Sequence, residues 1–120
     1  MNNAERFLDG YLKAWSSNDP DTIRDLFAPD ATYRGGAHDL PVTEGVDAIV
    51  ALWLNRRDEP GTWSFEGAAD VETASAAVIR GVTTYTDGPK ADVYDNVWLV
   101  RFDDEGRALE FQDWWFERKG

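Results

Sequence analysis

Apolar residues recur at helical spacing in the first half of the chain and alternate with polar residues in the second half. Helical spacing is found over residues 3–18, over a short segment that begins at Pro20, and over roughly residues 45–57. A short strand, Ala31–Arg34, and a loop over residues 35–44 precede the third helix. Four long strands are predicted after it, at Trp63–Val71, Ala76–Thr86, Lys90–Phe102 and Arg107–Arg118.

This order of elements predicts an α+β fold for one domain over residues 1–120. The helices come first and the strands form an antiparallel meander, so the helices are expected to pack on one face of a curved sheet. Asp19 before Pro20 is a typical helix start, because aspartate caps the helix and proline suits its first position. Thr43 or Gly45 is the expected cap of the third helix.

The last two strands form a hairpin with one aromatic face, interrupted by Asn96 and Asp113. The apolar members of that face are Tyr94, Trp98, Val100 and Phe102, then Leu109, Phe111 and Trp115. A turn centred on residues 104–106 would place Asn96 across from Asp113. A carboxylate on an apolar face is costly unless it is paired or used. The pattern therefore predicts a pocket with Asp113 as a placed acid, and Asn96 either contacts a substrate oxygen or water, or only satisfies Asp113.

The tryptophans exceed what a core of this size needs, so some are expected to line a cavity for a flat apolar ligand. The predicted substrate-binding residues are Trp15, Trp53, Trp63, Trp98, Phe111 and Trp115. Trp114 and Phe116 fall on the opposite strand face, where an exposed aromatic patch predicts a homodimer through the outer face of the sheet.

Composition narrows the function further. The net charge is −11, which disfavours nucleic acid and anionic membranes as partners. The chain has no cysteine, one histidine and no long apolar run, so we expect no metal, no cofactor, no membrane span and a cytoplasmic location. A small hydrophobic ligand is the expected partner.

Several segments, in this order, resemble the nuclear transport factor 2-like superfamily and, within it, the SnoaL-like proteins. They are the helix Phe7–Trp15, residues 26–33 (Leu-Phe-Ala-Pro-Asp-Ala-Thr-Tyr), residues 45–49 leading to Trp53, and the closing turn 104–107 into residues 111–115. The resemblance implies a cone, in which a curved antiparallel sheet wraps around three N-terminal helices as a cystatin-like α+β roll. A deep pocket and a homodimer are also implied. The superfamily contains isomerases, cyclases, dehydratases, epoxide hydrolases and binders without activity.

The resemblance also gives expectations for single residues. Asp113 matches the acid/base aspartate that epoxide hydrolases and SnoaL-type cyclases carry in the last strand. Arg80 matches the hydrolase arginine, but Val82 replaces the second aspartate. Gly35 stands where ketosteroid isomerases of this fold have their base.

Three further side chains are candidate site residues, and each has an alternative structural interpretation. Tyr33 could donate a hydrogen bond at the pocket mouth or only pack. His38, in a glycine-rich loop, could cover the pocket or be exposed. Arg80 could pair with Asp113, as could Arg34 or Arg101, or it could face solvent.

Two functions remain open at this point. The first is a cofactor-independent acid/base enzyme that uses Asp113 on a small hydrophobic cyclic substrate, as an isomerase, cyclase, dehydratase or hydrolase. The second is a binding or assembly module without catalysis, in which Asp113 is fixed in an ion pair.

Overall fold

The protein is described by a computed structural model that covers residues 1–35, 41–86, 88 and 92–118. Its helices and strands follow in the order α1 Asn3–Ser17, α2 Pro20–Arg24, β1 Phe27–Gly35, β2 Thr43–Glu44, α3 Val46–Asn55, β3 Trp63–Glu72, β4 Ala76–Tyr85, β5 Asp92–Phe102 and β6 Ala108–Glu117. The predicted α+β class and the predicted meander are confirmed, and the long strands end within about two residues of their predicted bounds. No helix in the described part of the chain is long and apolar enough to cross a membrane.

The six strands form one curved sheet in the order β2-β1-β6-β5-β4-β3. β3 to β6 pair antiparallel, as predicted, whereas β1 joins β6 in parallel, which makes the sheet mixed rather than antiparallel throughout. β1 is also longer than the predicted Ala31–Arg34, because it already begins at Phe27, which pairs with Ala108. The short strand β2 was not predicted; it pairs with β1 within the region interpreted as a loop.

Local signals in the sequence explain where the helices begin and end. The Asp19 side chain accepts hydrogen bonds from the backbone N–H groups of Asp21 and Thr22, which caps α2 as predicted. Gly45 precedes α3 at φ 88°, a backbone region that glycine adopts without strain. α1 ends at Asn18, which adopts the left-handed conformation at φ 52°.

The core lies between the helices and the concave face of the sheet, and aromatic rings fill much of it. Phe7 on α1 contacts the rings of Phe27, Phe102 and Phe111 at centroid distances of 5.5–6.4 Å. Tyr11 lies one helical turn later, and its ring centroid is 4.4 Å from that of Trp98. These packed rings fill the space between the helices and the sheet around Phe7, so a cavity can only lie beyond them.

Candidate active site

A cavity of about 540 Å³ lies between the helices and the concave face of the sheet. Helices α1 and α3 form one wall and strands β1, β4, β5 and β6 form the other. Aromatic side chains supply most of the lining: Tyr11, Trp15, Tyr33, Trp53, Tyr85, Tyr94, Trp98 and Trp115. Its size and aromatic lining suit a small hydrophobic ligand.

Asp113 and Asn96 both line the cavity and are hydrogen-bonded to each other. The Asn96 amide donates from Nδ2 to Oδ1 of Asp113 over 3.1 Å. The two residues are diagonal neighbours, because Asp113 pairs directly with Trp98 and Asn96 with Trp115. The second carboxyl oxygen of Asp113 accepts no hydrogen bond from the described residues. One oxygen is therefore held and the other remains available to a ligand.

A third polar residue, Thr83 on β4, fixes the orientation of the Asn96 amide. Its hydroxyl donates to Oδ1 of Asn96 over 2.7 Å, and both side chains are buried, with 2% and 7% exposed. Because the Asn96 oxygen accepts from Thr83, its NH₂ group must face Asp113. Thr83, Asn96 and Asp113 thus form one directed chain of hydrogen bonds across three strands.

The pKa of Asp113 is raised to about 6, chiefly because burial penalises the charged carboxylate. The hydrogen bond from Asn96 opposes this rise, and the indole of Trp98 opposes it further. The buried indole N–H of Trp98 therefore acts on Asp113 without reaching full hydrogen-bond geometry with it or with another described residue. No lysine or arginine of those residues forms an ion pair with Asp113. A pKa near 6 suits a group that exchanges a proton near neutral pH.

Two tyrosines face the same cavity as neutral hydroxyl donors. Burial, and then the carboxylate of Asp113, raise the pKa of Tyr33 to about 12, while Tyr11 and Arg56 lower it slightly. Burial raises the pKa of Tyr11 well above its usual range, with a further rise from the neighbouring Tyr33. Both phenols keep their protons at neutral pH, and because the two hydroxyls also interact with each other, one of the two protons is left to donate to a ligand oxygen.

A second carboxylate, Asp58, lies at the rim of the cavity and joins three elements. Its Oδ2 accepts from the Trp15 indole over 3.0 Å and from the Tyr85 hydroxyl over 3.5 Å, and its backbone carbonyl accepts from the Asn18 side chain. Burial and the Asp58 carboxylate raise the pKa of Tyr85. Oδ2 of Asp58 is therefore occupied by two structural donors, which tie Trp15 and Tyr85 to the rim of the cavity.

The structure does not bring every predicted site residue to the cavity. Arg80 is exposed on the outer face of the sheet and forms an ion pair with Asp70 at 3.2 Å, so it faces solvent and the alternative in which it pairs with Asp113 does not hold. The reason is strand parity, since Thr83 is an inner residue of β4 and Arg80, three positions away, faces outward. Arg101 likewise pairs with Glu110. His38 lies outside the described residues.

Of the six aromatic residues predicted to bind the substrate, four line the cavity and two do not; those that do are Trp15, Trp53, Trp98 and Trp115. Phe111 is fully buried in the core beneath the cavity. Trp63 lies behind Trp15, with the two rings stacked at 3.7 Å, and supports the wall without forming it. Leu109 is exposed because the β5–β6 pairing shifts register between Arg101 and Phe102.

Sequence reasoning missed Thr83, Tyr85, Tyr11 and Asp58. Thr83 and Tyr85 alternate with outer residues of β4 and lie in register beside Tyr94 and Asp92. Because successive residues of a strand face opposite sides of the sheet, this alternation could have placed both on the inner face. Asp58 follows α3 in a segment without periodicity, and no sequence signal places it. Among the described residues, no three His, Asp or Glu side chains are grouped as a metal ion would require.

Residues 6–111 match the family model of the SnoaL-like domain. The chain therefore belongs to the SnoaL-like family, within the nuclear transport factor 2-like superfamily, which confirms the resemblance. No curated protein matches the chain significantly in sequence.

Solved structures of the same fold are similar to this chain at low identity. An LEH-like epoxide hydrolase from M. tuberculosis has 19% identity and a TM-score of 0.69, covering 95% of this chain and 83% of its own. RV0760c from M. tuberculosis, in complex with estradiol-17beta-hemisuccinate, has 13% identity and a TM-score of 0.73, covering 97% and 95%. The epoxide hydrolase/cyclase-like enzyme SalBIII of salinomycin pyran-ring formation has 15% identity and a TM-score of 0.71, covering 94% and 90%. At these identities the likeness establishes the fold alone.

Proposed function

We propose that the protein is a cofactor-independent acid/base enzyme that acts on a small hydrophobic, cyclic substrate, with Asp113 as its general acid/base. The observation that carries this proposal is the state of Asp113. It is the cavity carboxylate that has one held oxygen, one open oxygen, no cationic partner among the described residues and a pKa near 6. A carboxyl group in that state can take a proton from carbon or water and return it.

The neighbouring side chains support such a proton transfer. Asn96, fixed by Thr83, keeps the carboxyl plane of Asp113 in one orientation. The neutral, interacting hydroxyls of Tyr33 and Tyr11 can together supply one hydrogen bond to an oxygen that gains negative charge during the reaction. The reaction class is then isomerisation, cyclisation or dehydration when Asp113 acts on the substrate directly. It is hydrolysis when Asp113 activates a water.

The related structures are consistent with this class of chemistry. An epoxide hydrolase and a cyclase-like enzyme share the fold, and RV0760c binds a steroid ester. Polycyclic molecules of that kind are suitable in size for an aromatic cavity of about 540 Å³. The substrates to screen first are therefore cyclic ketones, epoxides and polyketide-like compounds.

The test is the variant Asp113→Asn, with Asp70→Asn as the matched control. Asp113→Asn keeps the shape of the side chain but removes its acid, so turnover of a hit from the screen should be lost while the fold is retained. Asp70 is an exposed carboxylate on the outer face, so its variant should retain full turnover. Retained activity in Asp113→Asn, with an unchanged fold by NMR, would contradict the proposal.

The alternative is a ligand-binding module without catalysis. It is favoured by two positions, because Val82 and Gly35 replace acids that related enzymes are expected to use. In that case Asp113→Asn would leave ligand affinity intact and no substrate class would turn over.

We also propose that two copies associate through the outer face of the sheet. Trp114 and Phe116 on β6 lie beside Val97 and Asp95 on β5, and Phe116 is 59% exposed. Arg118 forms an ion pair with Asp95 at 2.7 Å at the border of this outer patch. A second copy of the same face supplies the apolar surface that would cover this patch.

A further inference from the structure

Two arginines follow helix α3 and line the cavity beside the aromatic wall. Arg56 is the C-cap residue, whose backbone N–H donates to the carbonyls of Leu52 and Trp53, and Arg57 is its neighbour. Both are exposed, so they lie where the cavity opens to solvent. The Arg57 guanidinium donates to the Leu54 carbonyl over 3.1 Å, which gives it a structural role at the end of the helix.

Arg56 differs from most of the other cations in the described part of the chain. Its side chain forms no hydrogen bond and no ion pair with the described residues, although acids outnumber bases by 23 to 12. Most other described cations have an acidic partner, namely Lys13, Arg24, Arg80, Arg101, Arg107 and Arg118. Arg56 therefore has no acidic partner among the described residues, although the protein is acidic. It lies at the opening of the cavity, where its guanidinium can bind an anion from solution.

The charges of the cavity also define how such an anion would be oriented. Asp113 lies inside and, when ionised, repels a second negative charge. Arg56 acts from the opening and already lowers the pKa of Tyr33, so its field reaches into the cavity. The apolar part of a ligand can therefore lie among the aromatic rings while its charged end remains at the rim.

We propose that Arg56 forms an anion subsite at the cavity opening, so that the ligand is a hydrophobic molecule with one carboxylate or similar anionic group. That group lies at the end remote from the part that reaches Asp113. This inference rests on the proposed function, because it takes the same cavity as the ligand site. The anion subsite specifies two further properties of the ligand, namely its charge and its orientation in the cavity.

The experiment compares two fluorescent dyes, 1-anilinonaphthalene-8-sulfonate and N-phenyl-1-naphthylamine, which share one ring skeleton. Only the first carries an anionic group. Each is titrated into the wild type, Arg56→Gln, Arg56→Lys and Arg80→Gln. Arg80→Gln removes the same charge from the outer face and controls for the change in net charge.

Arg56→Gln should weaken binding of the sulfonated dye about two- to fivefold, the range expected for an exposed ion pair, and leave the uncharged dye unchanged. Arg56→Lys should restore part of the loss, and Arg80→Gln should have no effect. Equal effects on both dyes, no effect, or the same effect from Arg80→Gln would overturn the anion subsite and leave the role of Asp113 standing. Failure of both dyes to bind the wild type would count against the cavity itself, and so against both proposals.

Discussion

Gly35 lies directly beside Asp113, as its register partner on the parallel strand β1. Position 35 is where the family resemblance places the base of the isomerases, and here it has no side chain. The gap is partly covered by the Trp115 ring, whose atoms would lie 3.4 Å from a Cβ at that position. The cavity's acid, Asp113, therefore lies on β6, one strand away from the position on β1 that the resemblance indicates.

The pH dependence of turnover should follow Asp113. If Asp113 takes a proton from the substrate, kcat/KM should rise with pH and level off above about 6, because only the ionised form is active. Removal of the group in Asp113→Asn should lower kcat by about 10²–10⁴-fold. A pH–rate series on a hit from the substrate screen measures both. A profile without an inflection between pH 5 and 7 would contradict the role of Asp113.

Asp113→Asn should also stabilise the protein at high pH. The folded pKa of about 6 lies above the ordinary value of 3.8, so folding favours the protonated carboxyl. Its contribution to stability is present in full below pH 3.8 and is lost as pH rises through 6. At pH 8 the variant should gain up to about 3 kcal/mol in the free energy of unfolding, at about 1.4 kcal/mol per pKa unit.

Urea denaturation of the wild type and Asp113→Asn at pH 4 and pH 8 tests that gain. The difference between the two proteins should be larger at pH 8. A variant that is less stable than the wild type at pH 8 would contradict the raised pKa of Asp113.

Thr83→Val should disturb the site without touching Asp113. It leaves Oδ1 of Asn96 buried without its donor, which should cost about 1–3 kcal/mol of stability. The Asn96 amide is then free to rotate away from Asp113, so the pKa of Asp113 should rise further. Thr83→Ser retains the hydroxyl and should behave like the wild type. Carbon-detected NMR titration of Asp113 in both variants distinguishes the outcomes, and identical pKa values in all three proteins would contradict the hydrogen-bond chain.

Gly81→Ala should displace a wall of the cavity from behind. A Cβ at position 81 would come within 2.2 Å of the Phe65 ring, and Phe65 stacks on Trp98 at 4.7 Å. The ring must shift and Trp98 must follow, which should cost about 1–3 kcal/mol, the usual range for overpacking. Tryptophan fluorescence and thermal unfolding report both effects. Gly61→Ala meets no atom within 4 Å and controls for packing, although its φ of 85° adds backbone strain.

Phe116→Asp should separate the proposed homodimer. A carboxylate in the middle of an apolar interface is desolvated without a partner, so association should weaken by at least tenfold, or about 1.4 kcal/mol. Val71→Asp changes an equally exposed residue on the edge strand β3 and should leave the assembly intact. Analytical ultracentrifugation gives the molar mass of each protein. A wild type that sediments as a monomer would refute the interface.

The elements of this fold could be predicted from sequence because the periodicity is strong and the turns have clear chemistry. Asp103 illustrates this, since its side chain accepts from the backbone N–H groups of Glu105 and Arg107 and closes the β5–β6 turn. The position of Asp113 on the inner face followed from that hairpin. The parallel pairing of β1 with β6 did not follow, because it joins segments about 80 residues apart and has no local signature.

The site was predictable only where strand parity was known. Asn96 and Asp113 were correctly placed together, although a register shift near Phe102 makes them diagonal rather than opposed. Arg80 was misplaced because its face depends on the β4–β5 register, which single-sequence reasoning could not set. Contacts such as Trp15 with Asp58 arise from tertiary packing and have no counterpart in the sequence pattern.

Asp113 and Trp114 are consecutive residues of strand β6, so the Asp113 carboxyl group faces the cavity and the Trp114 indole lies on the outer face of the sheet. The proposed ligand site and the proposed dimer interface therefore share one strand of the sheet. If ligand uptake favours pairing of two copies by some factor, pairing must favour ligand uptake by the same factor. A measured coupling factor between the two proposed equilibria would then be carried by adjacent residues of β6, on either side of a single peptide unit.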